Sequence, residues 1–138
     1  MTNIGNLFNF IESNRPEYRV PLKFKLKYDP ESITEDDLTV KGDLDFSNTQ
    51  ITTLPDNLTV DGTLDLSNTP ITSIPDNLTV MWVLVLYNTP ITSLPDNLTA
   101  EGDLDLRQTP LSKKYSEDEI RKMIQDKGGI VEGNVYLE

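Results

Sequence analysis

Aspartates are the residues of this sequence with the clearest chemical potential. They occur in pairs with one residue between them, such as Asp43 with Asp45. Two carboxylates can act as acid and base only where a pocket separates their pKa values. Here the aspartates alternate with apolar residues along a strand, so we expect their carboxylates to project outward from an open sheet. The sequence also has no histidine and no cysteine, and it has no phosphate-binding loop. We therefore predict a non-enzymatic chain without catalytic residues, cofactor or metal.

Length and charge restrict the possible classes further. The chain has 138 residues, which is enough for one domain with a modest core. Its net charge is −11. Its acidity argues against direct binding to nucleic acid. The first thirty residues lack the features of a signal peptide, and no apolar run has the length of a membrane span. We expect a cytoplasmic protein that does not contact membranes.

A unit of 20 residues repeats through the middle of the chain. Its copies occupy residues 38–57, 58–77 and 78–97, and a fourth starts at Leu98 and leaves the pattern after Leu111. Each copy contains a short xLxLx strand whose two apolar side chains should point inward. Each of the first three copies later contains Leu-Pro or Ile-Pro. Proline is excluded from helix interiors, so the return segment should be extended or polyproline-like.

Three small or polar positions recur at fixed offsets within the copies. The threonine after each strand is expected to form a hydroxyl ladder between copies (Thr49, Thr69, Thr89 and Thr109). The asparagine before each Leu-Thr is interpreted as a turn residue rather than a sugar site (Asn57, Asn77 and Asn97). The glycine before each strand is expected to need a positive φ (Gly42, Gly62 and Gly102).

The pattern resembles that of the leucine-rich repeat family. In copy two the matching residues occupy LxLxxNxLxxLPxxL, with Thr where Asn is usual: Leu64, Leu66, Thr69, Ile71, Ile74, Pro75 and Leu78. The chain is similar to the short bacterial or bacteriophage form of the family over about residues 22–138. The resemblance implies an α/β-type repeat solenoid with a curved array of short strands. It implies a parallel concave sheet of about six strands, an extended convex side and one C-terminal capping helix.

Both ends of the array are interpreted as caps. Residues 1–37 form the predicted N-terminal cap, with a short helix over 4–12 and a degenerate first strand at 23–27, where apolar and basic residues alternate. Residues 38–112 contain the four repeats. Residues 113–138 form the predicted C-terminal cap, with a helix over about 116–127 and a final strand over about 134–137.

The third copy departs from the pattern along its strand. Where copy two reads VDGTLDLS, copy three reads VMWVLVLY, so five polar or glycine positions become Met81, Trp82, Val83, Val85 and Tyr87. An exposed cluster of this kind has the composition of an interaction hot spot. Neighbouring outward positions complete the predicted partner-binding site: Asp65, Asp103, Asp105, Arg107 and Tyr136. The aspartates should steer a basic partner towards the cluster.

These observations favour a non-catalytic module that binds a protein with a basic and apolar surface through its concave face. By the family resemblance, that partner is expected to be a host enzyme or defence factor that the module inhibits, in a host cytoplasm if a bacteriophage encodes the chain. Two alternatives remain open. One is an acidic mimic of nucleic acid that blocks a DNA-binding protein, and the other is a homo-oligomer paired through the third copy. The chain would accordingly be a monomer or a homodimer.

Overall fold

The computed structural model describes residues 4–14 and 19–138, which fall into two compact units, Met1–Thr39 and Val40–Glu138. Residues 1–3 and 15–18 of the predicted N-terminal cap lie outside the described part. In the described residues, no helix combines the length and the apolarity that a membrane span requires.

The N-terminal unit is helical. It contains α1 (Ile4–Asn14) and α2 (Leu22–Tyr28), followed by short 3-10 turns at Pro30–Ser32 and Glu35–Leu38. Helix α1 lies where the sequence predicts one. The predicted strand at 23–27 is wrong, because these residues form most of α2.

The alternation in LKFKLKY misled the prediction because one lysine of this helix is buried. Leu22 and Lys25, three residues apart on one helical face, are buried, whereas Phe24 is half exposed. Lys25 can be buried because its Nζ donates to Glu12 Oε1 and Asp37 Oδ2, both at 2.9 Å. An alternating pattern therefore conceals a helix whose inner face includes a paired charge.

The second unit is a repeat solenoid built from parallel two-residue strands, as the sequence predicts. The strands form two parallel sheets of five strands, not one sheet of about six. Sheet A contains β1 (Thr39–Val40), β3 (Thr59–Val60), β5 (Thr79–Val80), β7 (Thr99–Ala100) and β9 (Ile130–Val131). Sheet B contains β2 (Leu44–Asp45), β4 (Leu64–Asp65), β6 (Leu84–Val85), β8 (Leu104–Asp105) and β10 (Val135–Tyr136). The expected sixth strand of sheet B is absent from the described residues because its segment is α2.

The core of this unit is a stack of equivalent apolar residues. Leu64, Leu84 and Leu104 pair in register on neighbouring strands and are fully buried, as are the leucines two positions later in each copy. Between the strands, residues 69–75 and 89–95 form neither helix nor strand. Removal of each leucine side chain from water contributes about 2 kcal/mol to the stability of the folded state. The stack therefore supplies most of the driving force for folding.

Asparagine, rather than threonine, forms the ladders between copies. Asn77 Nδ2 donates to Asn57 Oδ1 at 2.8 Å, and Asn97 Nδ2 donates to Asn77 Oδ1 at 2.9 Å. All three residues have positive φ, as expected of turn residues. The predicted threonine ladder is wrong: Thr69 and Thr89 donate within their own copies, to the carbonyls of Leu66 and Leu86.

The repeated glycines serve two purposes. Gly42 has a φ of +86°, whereas Gly62 and Gly102 do not have positive φ. At Gly62 an added Cβ would lie 2.6 Å from the backbone of Gly42, and at Gly102 it would overlap the carbonyl of Trp82. Glycine at these two positions thus permits close stacking of backbones, which corrects the expectation of positive φ throughout.

Two helices, not one, precede the last strands. Helix α3 (Pro110–Lys114) replaces the extended segment of the fourth copy, and α4 (Glu117–Asp126) lies where the sequence predicts the capping helix. Ser116 caps α4 by accepting from the N–H of Glu119, whose side chain accepts from the N–H of Ser116. Ile120 and Ile124 form the buried face of α4. After Gly128, at φ +83°, the chain enters β9 and then β10.

Candidate functional site

The register of sheet B aligns the outward side chains in continuous rows. Its middle row has the order that the sequence predicts from copy one to the last strand: Asp45, Asp65, Val85, Asp105 and Tyr136. Strand spacing places such neighbours about 4.8 Å apart. An apolar position in this row is thus flanked by a carboxylate on each side.

The substituted residues of the third copy present an apolar and aromatic surface, here called the copy-three patch (Met81, Trp82, Val83, Val85 and Tyr87). Trp82 is 67% exposed and Tyr87 is 37% exposed. Met81, Val83 and Val85 are half buried. Trp82 occupies the position of Gly62 and Gly102, and its N–H donates to the carbonyl of Gly62 at 3.1 Å. The large side chain therefore leaves the backbone register between copies unchanged.

Arg107 links the patch to the fourth copy. Its Nε and Nη2 donate to Oδ1 and Oδ2 of Asp105 at 3.0 and 2.7 Å. The guanidinium also lies over the ring of Tyr87, 5.5 Å from the ring centroid. The hydrogen bonds and charge of Asp105 raise the pKa of Arg107. The result is a fixed planar cation beside an aromatic ring, a combination that is common in interface centres.

Asp105, one of the aspartates predicted to steer a partner, is buried and is held in the two-pronged pair with Arg107. A paired carboxylate contributes little to the long-range field, since the guanidinium cancels its charge. The acidic flank on this side of the patch is therefore reduced to Asp103.

Asp103 and Tyr136 lie together at the C-terminal side of the patch. Asp103 Oδ1 accepts from the backbone N–H of Asn134 at 2.8 Å, and the hydroxyl of Tyr136 lies 3.4 Å from Oδ2. Tyr136 is 44% exposed. This pair adds a second exposed ring, one strand beyond Arg107, to the surface that starts at Tyr87.

On the other flank, the carboxylates have structural partners as well as a charge. Asp65 Oδ1 accepts from the N–H and the hydroxyl of Ser67 at 2.9 and 2.7 Å, and Asp45 Oδ1 binds Ser47 in the same way. Such turns fix the positions of the two carboxylates. Asp45 and Asp65 form the acidic edge of the face. Among residues 4–14 and 19–138, no group of three acidic side chains could hold a metal ion.

A groove that was not apparent from the sequence crosses copies one to three. It has a volume of about 340 Å³ and is lined by equivalent residues of each copy: Thr53, Leu54, Asp56, Ser73, Ile74, Pro75, Asp76, Ser93, Leu94 and Pro95. Lys127 Nζ donates to the carbonyl of Leu94 at 2.8 Å, at one end of this groove. The spacing of Leu-Pro and Ile-Pro in the sequence identifies residues that line this groove. It does not indicate that an open groove forms there.

Comparison of the chain with models of protein families, with curated proteins and with solved structures gave no match. The proposals below therefore rest on the sequence pattern and on the geometry of the face.

Proposed function

We propose that this chain is a non-catalytic protein-binding module of the leucine-rich-repeat type, which docks one protein partner on the outward face of sheet B. The observation that carries the proposal is the exposed aromatic side chain at a glycine position, Trp82, within an otherwise polar repeat. A face built only for solubility would repeat the aspartate, threonine and serine of copy two.

The copy-three patch supplies the anchors in this proposal. Tryptophan, tyrosine and arginine dominate interface energetics. The two aromatic residues cover a large area with few rotatable bonds, and the planar guanidinium of arginine stacks on rings and donates several hydrogen bonds. Trp82, Tyr87 and Arg107 provide one of each on neighbouring copies. Truncation of such an anchor typically costs about 2 kcal/mol or more of binding energy.

The charges favour a basic partner over a second copy. In a symmetric pair of copies through this face, Asp45 and Asp65 would meet like charges. A mimic of nucleic acid is also less well supported, because Val85 and the Asp105–Arg107 pair interrupt the acidic row. The expected partner has an apolar centre and a basic rim.

The family resemblance supports the remaining parts of the proposal. It underlies the curved array with a concave binding face and the expectation that the partner is an inhibited host or defence protein. Fold-level analogy does not name that partner, so the experiment must identify it.

The proposal is tested by affinity capture from lysate of the cells in which the chain occurs, read by mass spectrometry. Wild type is compared with a variant that restores the copy-two residues: Trp82→Gly, Val83→Thr, Val85→Asp and Tyr87→Ser. Because each substitution copies a neighbouring copy, the variant should keep the fold, which circular dichroism would check. A protein that wild type captures and the variant loses would identify the partner and its site.

A matched control removes an exposed aromatic ring elsewhere. Phe24 is half exposed on α2, so Phe24→Ser removes similar surface outside the patch. This control should capture the same protein as wild type. Equal recovery by all three proteins would exclude the copy-three patch, and loss in the control alone would move the site to the N-terminal unit.

A further inference from the structure

Backbone hydrogen bonds join successive copies in a fixed pattern. In sheet A, the carbonyl that ends each strand accepts from the next copy: Val60 from Met81 at 3.0 Å, Val80 from Glu101 at 3.0 Å and Ala100 from Glu132 at 2.9 Å. A second carbonyl, two residues later, accepts in the same direction at two of these boundaries. Gly62 accepts from Trp82 and Gly102 from Gly133, both at 3.1 Å.

In the last strand of sheet A, the equivalent carbonyls are those of Val131 and Gly133. A side chain from α4 occupies both. Arg121 Nη1 donates to Val131 O at 3.0 Å, and Nη2 donates to Gly133 O at 2.7 Å. The two prongs of one guanidinium therefore stand where the two backbone N–H groups of a following copy would stand.

The position of Arg121 is itself held. Nη2 is also paired with Glu117 Oε1 at 3.2 Å, one helical turn earlier. Ile120 and Ile124, on the adjacent face of α4, are buried. A fixed fork with five donors suits two carbonyls at this spacing better than a lysine, which offers one point charge.

We propose that Arg121 ends the array by taking the hydrogen-bonding place of a further copy, and that without it this edge pairs with a second copy of the chain. Open strand edges are templates for strand addition. The two acceptors at this edge match the paired donors that the repeats present at two of their internal boundaries. In a second copy the equivalent donor positions are the backbone N–H groups of Lys41 and Gly42, beside β1, so the contact is head-to-tail and does not close.

The residues around this edge are consistent with a strand edge that Arg121 blocks from pairing. Ile130, in the outermost strand of sheet A, is 48% exposed. Arg121 is the cation that binds the edge carbonyls directly. A charged side chain on an edge strand is a common device against unwanted pairing, and here the charge also satisfies the carbonyls.

The test is sedimentation velocity of wild type, Arg121→Ala and Arg121→Lys over a concentration series. Across a roughly hundredfold range of protein concentration, we expect the weight-average mass of Arg121→Ala to rise about twofold more than that of wild type. Arg121→Lys, which keeps the charge but donates from a single nitrogen, should fall between them. Lys122→Ala is the matched control, since this neighbour on α4 is exposed and pairs with Asp126, and it should sediment as wild type does.

A second substitution locates the contact. Ile130→Lys in the Arg121→Ala background restores a charge to the edge without restoring the fork, and it should abolish the added association. Arg121→Ala and Arg121→Lys that both sediment as wild type, with or without a loss of thermal stability, would overturn the proposal. Association that persists in the Ile130→Lys double variant would also overturn it. Neither result bears on partner capture by the copy-three patch.

Discussion

At the scale of single residues, Lys25 shows how a charge can belong to a core. Its ammonium is fully buried and bonds two carboxylates, and Arg19 approaches the same carboxylates from outside, at 3.4 Å from Glu12 and 3.7 Å from Asp37. Burial alone would lower the pKa of Lys25, but its bonds to Asp37 and Glu12 outweigh burial and raise that pKa. Burial would likewise raise the pKa of Asp37, but its bonds to Lys25 and Thr34 lower it. The cluster is stabilising in its ionised form.

We predict that Lys25→Met destabilises the N-terminal unit by about 3–5 kcal/mol, because Asp37 and Glu12 lose the buried cation that joins them and are left with the longer contacts to the half-exposed Arg19. Lys27→Met, on the exposed side of the same helix, should cost less than about 1 kcal/mol. Hydrogen exchange of α2 amides would measure both. A similar small loss in both variants would show that the buried cluster contributes no net stability.

The same cluster fixes the sign of a pH dependence. The pKa of Asp37 is lowered from 3.8. Its contribution to the stability of the folded state is therefore complete above that value and is lost as the pH falls through the folded-state pKa. The pKa of Lys25 is raised from 10.5, so its contribution is complete below that value and is lost as the pH rises through the folded-state pKa. The protection of α2 amides should therefore stay constant between these limits and decline outside them.

Residue-scale features of this kind were the least predictable from the sequence. The partners of Lys25 lie 13 and 12 residues away, so no local periodicity connects them. Arg107 was predicted as a site residue from its row, but its two-pronged pair with Asp105 was not. Strand alternation gives the direction of a side chain and leaves the rotamer undetermined.

At the scale of elements, the turns and the strands differ in how far the sequence determines them. Asparagine at a fixed offset predicted turn residues correctly, because asparagine tolerates positive φ. The alternation in α2 predicted a strand wrongly, because one of the residues counted as outward is buried by pairing. The fourth copy formed α3 where proline suggested extended chain, since Pro110 stands at the first turn of the helix and Thr109 caps it.

The asparagine ladder leads to a prediction about these turns. Asn77 has a φ of +60° and bonds the amides of Asn57 and Asn97. Asn77→Gly keeps the backbone conformation and loses the ladder, so we expect a cost of about 1 kcal/mol. Asn77→Ala loses the ladder and also places alanine at a positive φ, so its cost should be about 2 kcal/mol or more.

Urea denaturation would measure these differences, with Ser73→Ala as a control at an exposed position of the same copy. The control should leave the midpoint unchanged. If Asn77→Ala and Asn77→Gly were equally stable, the positive φ would carry no cost at this turn.

At the scale of the whole chain, the strict period made the outward rows of sheet B predictable in order and register. The period could not reveal that the Thr-Val dipeptides pair as a second sheet. Each is only two residues long, and no alternation can develop over that length. The third-copy substitutions were visible in the sequence, but their exposure depended on how the copies stack.

The overall charge leads to a prediction about binding kinetics once the partner has been captured. Asp45→Lys with Asp65→Lys reverses the negative edge of the face, so the association rate constant should fall about tenfold at low salt, with a smaller change in the dissociation rate. Surface plasmon resonance at two salt concentrations would measure both constants, and high salt should reduce the difference. Asp56→Lys with Asp76→Lys changes net charge equally in the groove lining and should slow association less. Equal slowing by both pairs would assign the effect to net charge rather than to the face.

The close stacking of copy three on its neighbours has a consequence for the history of such a chain. The residues that hold the copies together are the inward leucines, the asparagine ladder and the glycines against a neighbouring backbone. The residues that make copy three unusual are almost all outward. Outward residues of one copy can therefore change while the residues that hold the copies together stay the same. If the outward face binds a partner as proposed, its specificity can change in this way without an intermediate that fails to fold.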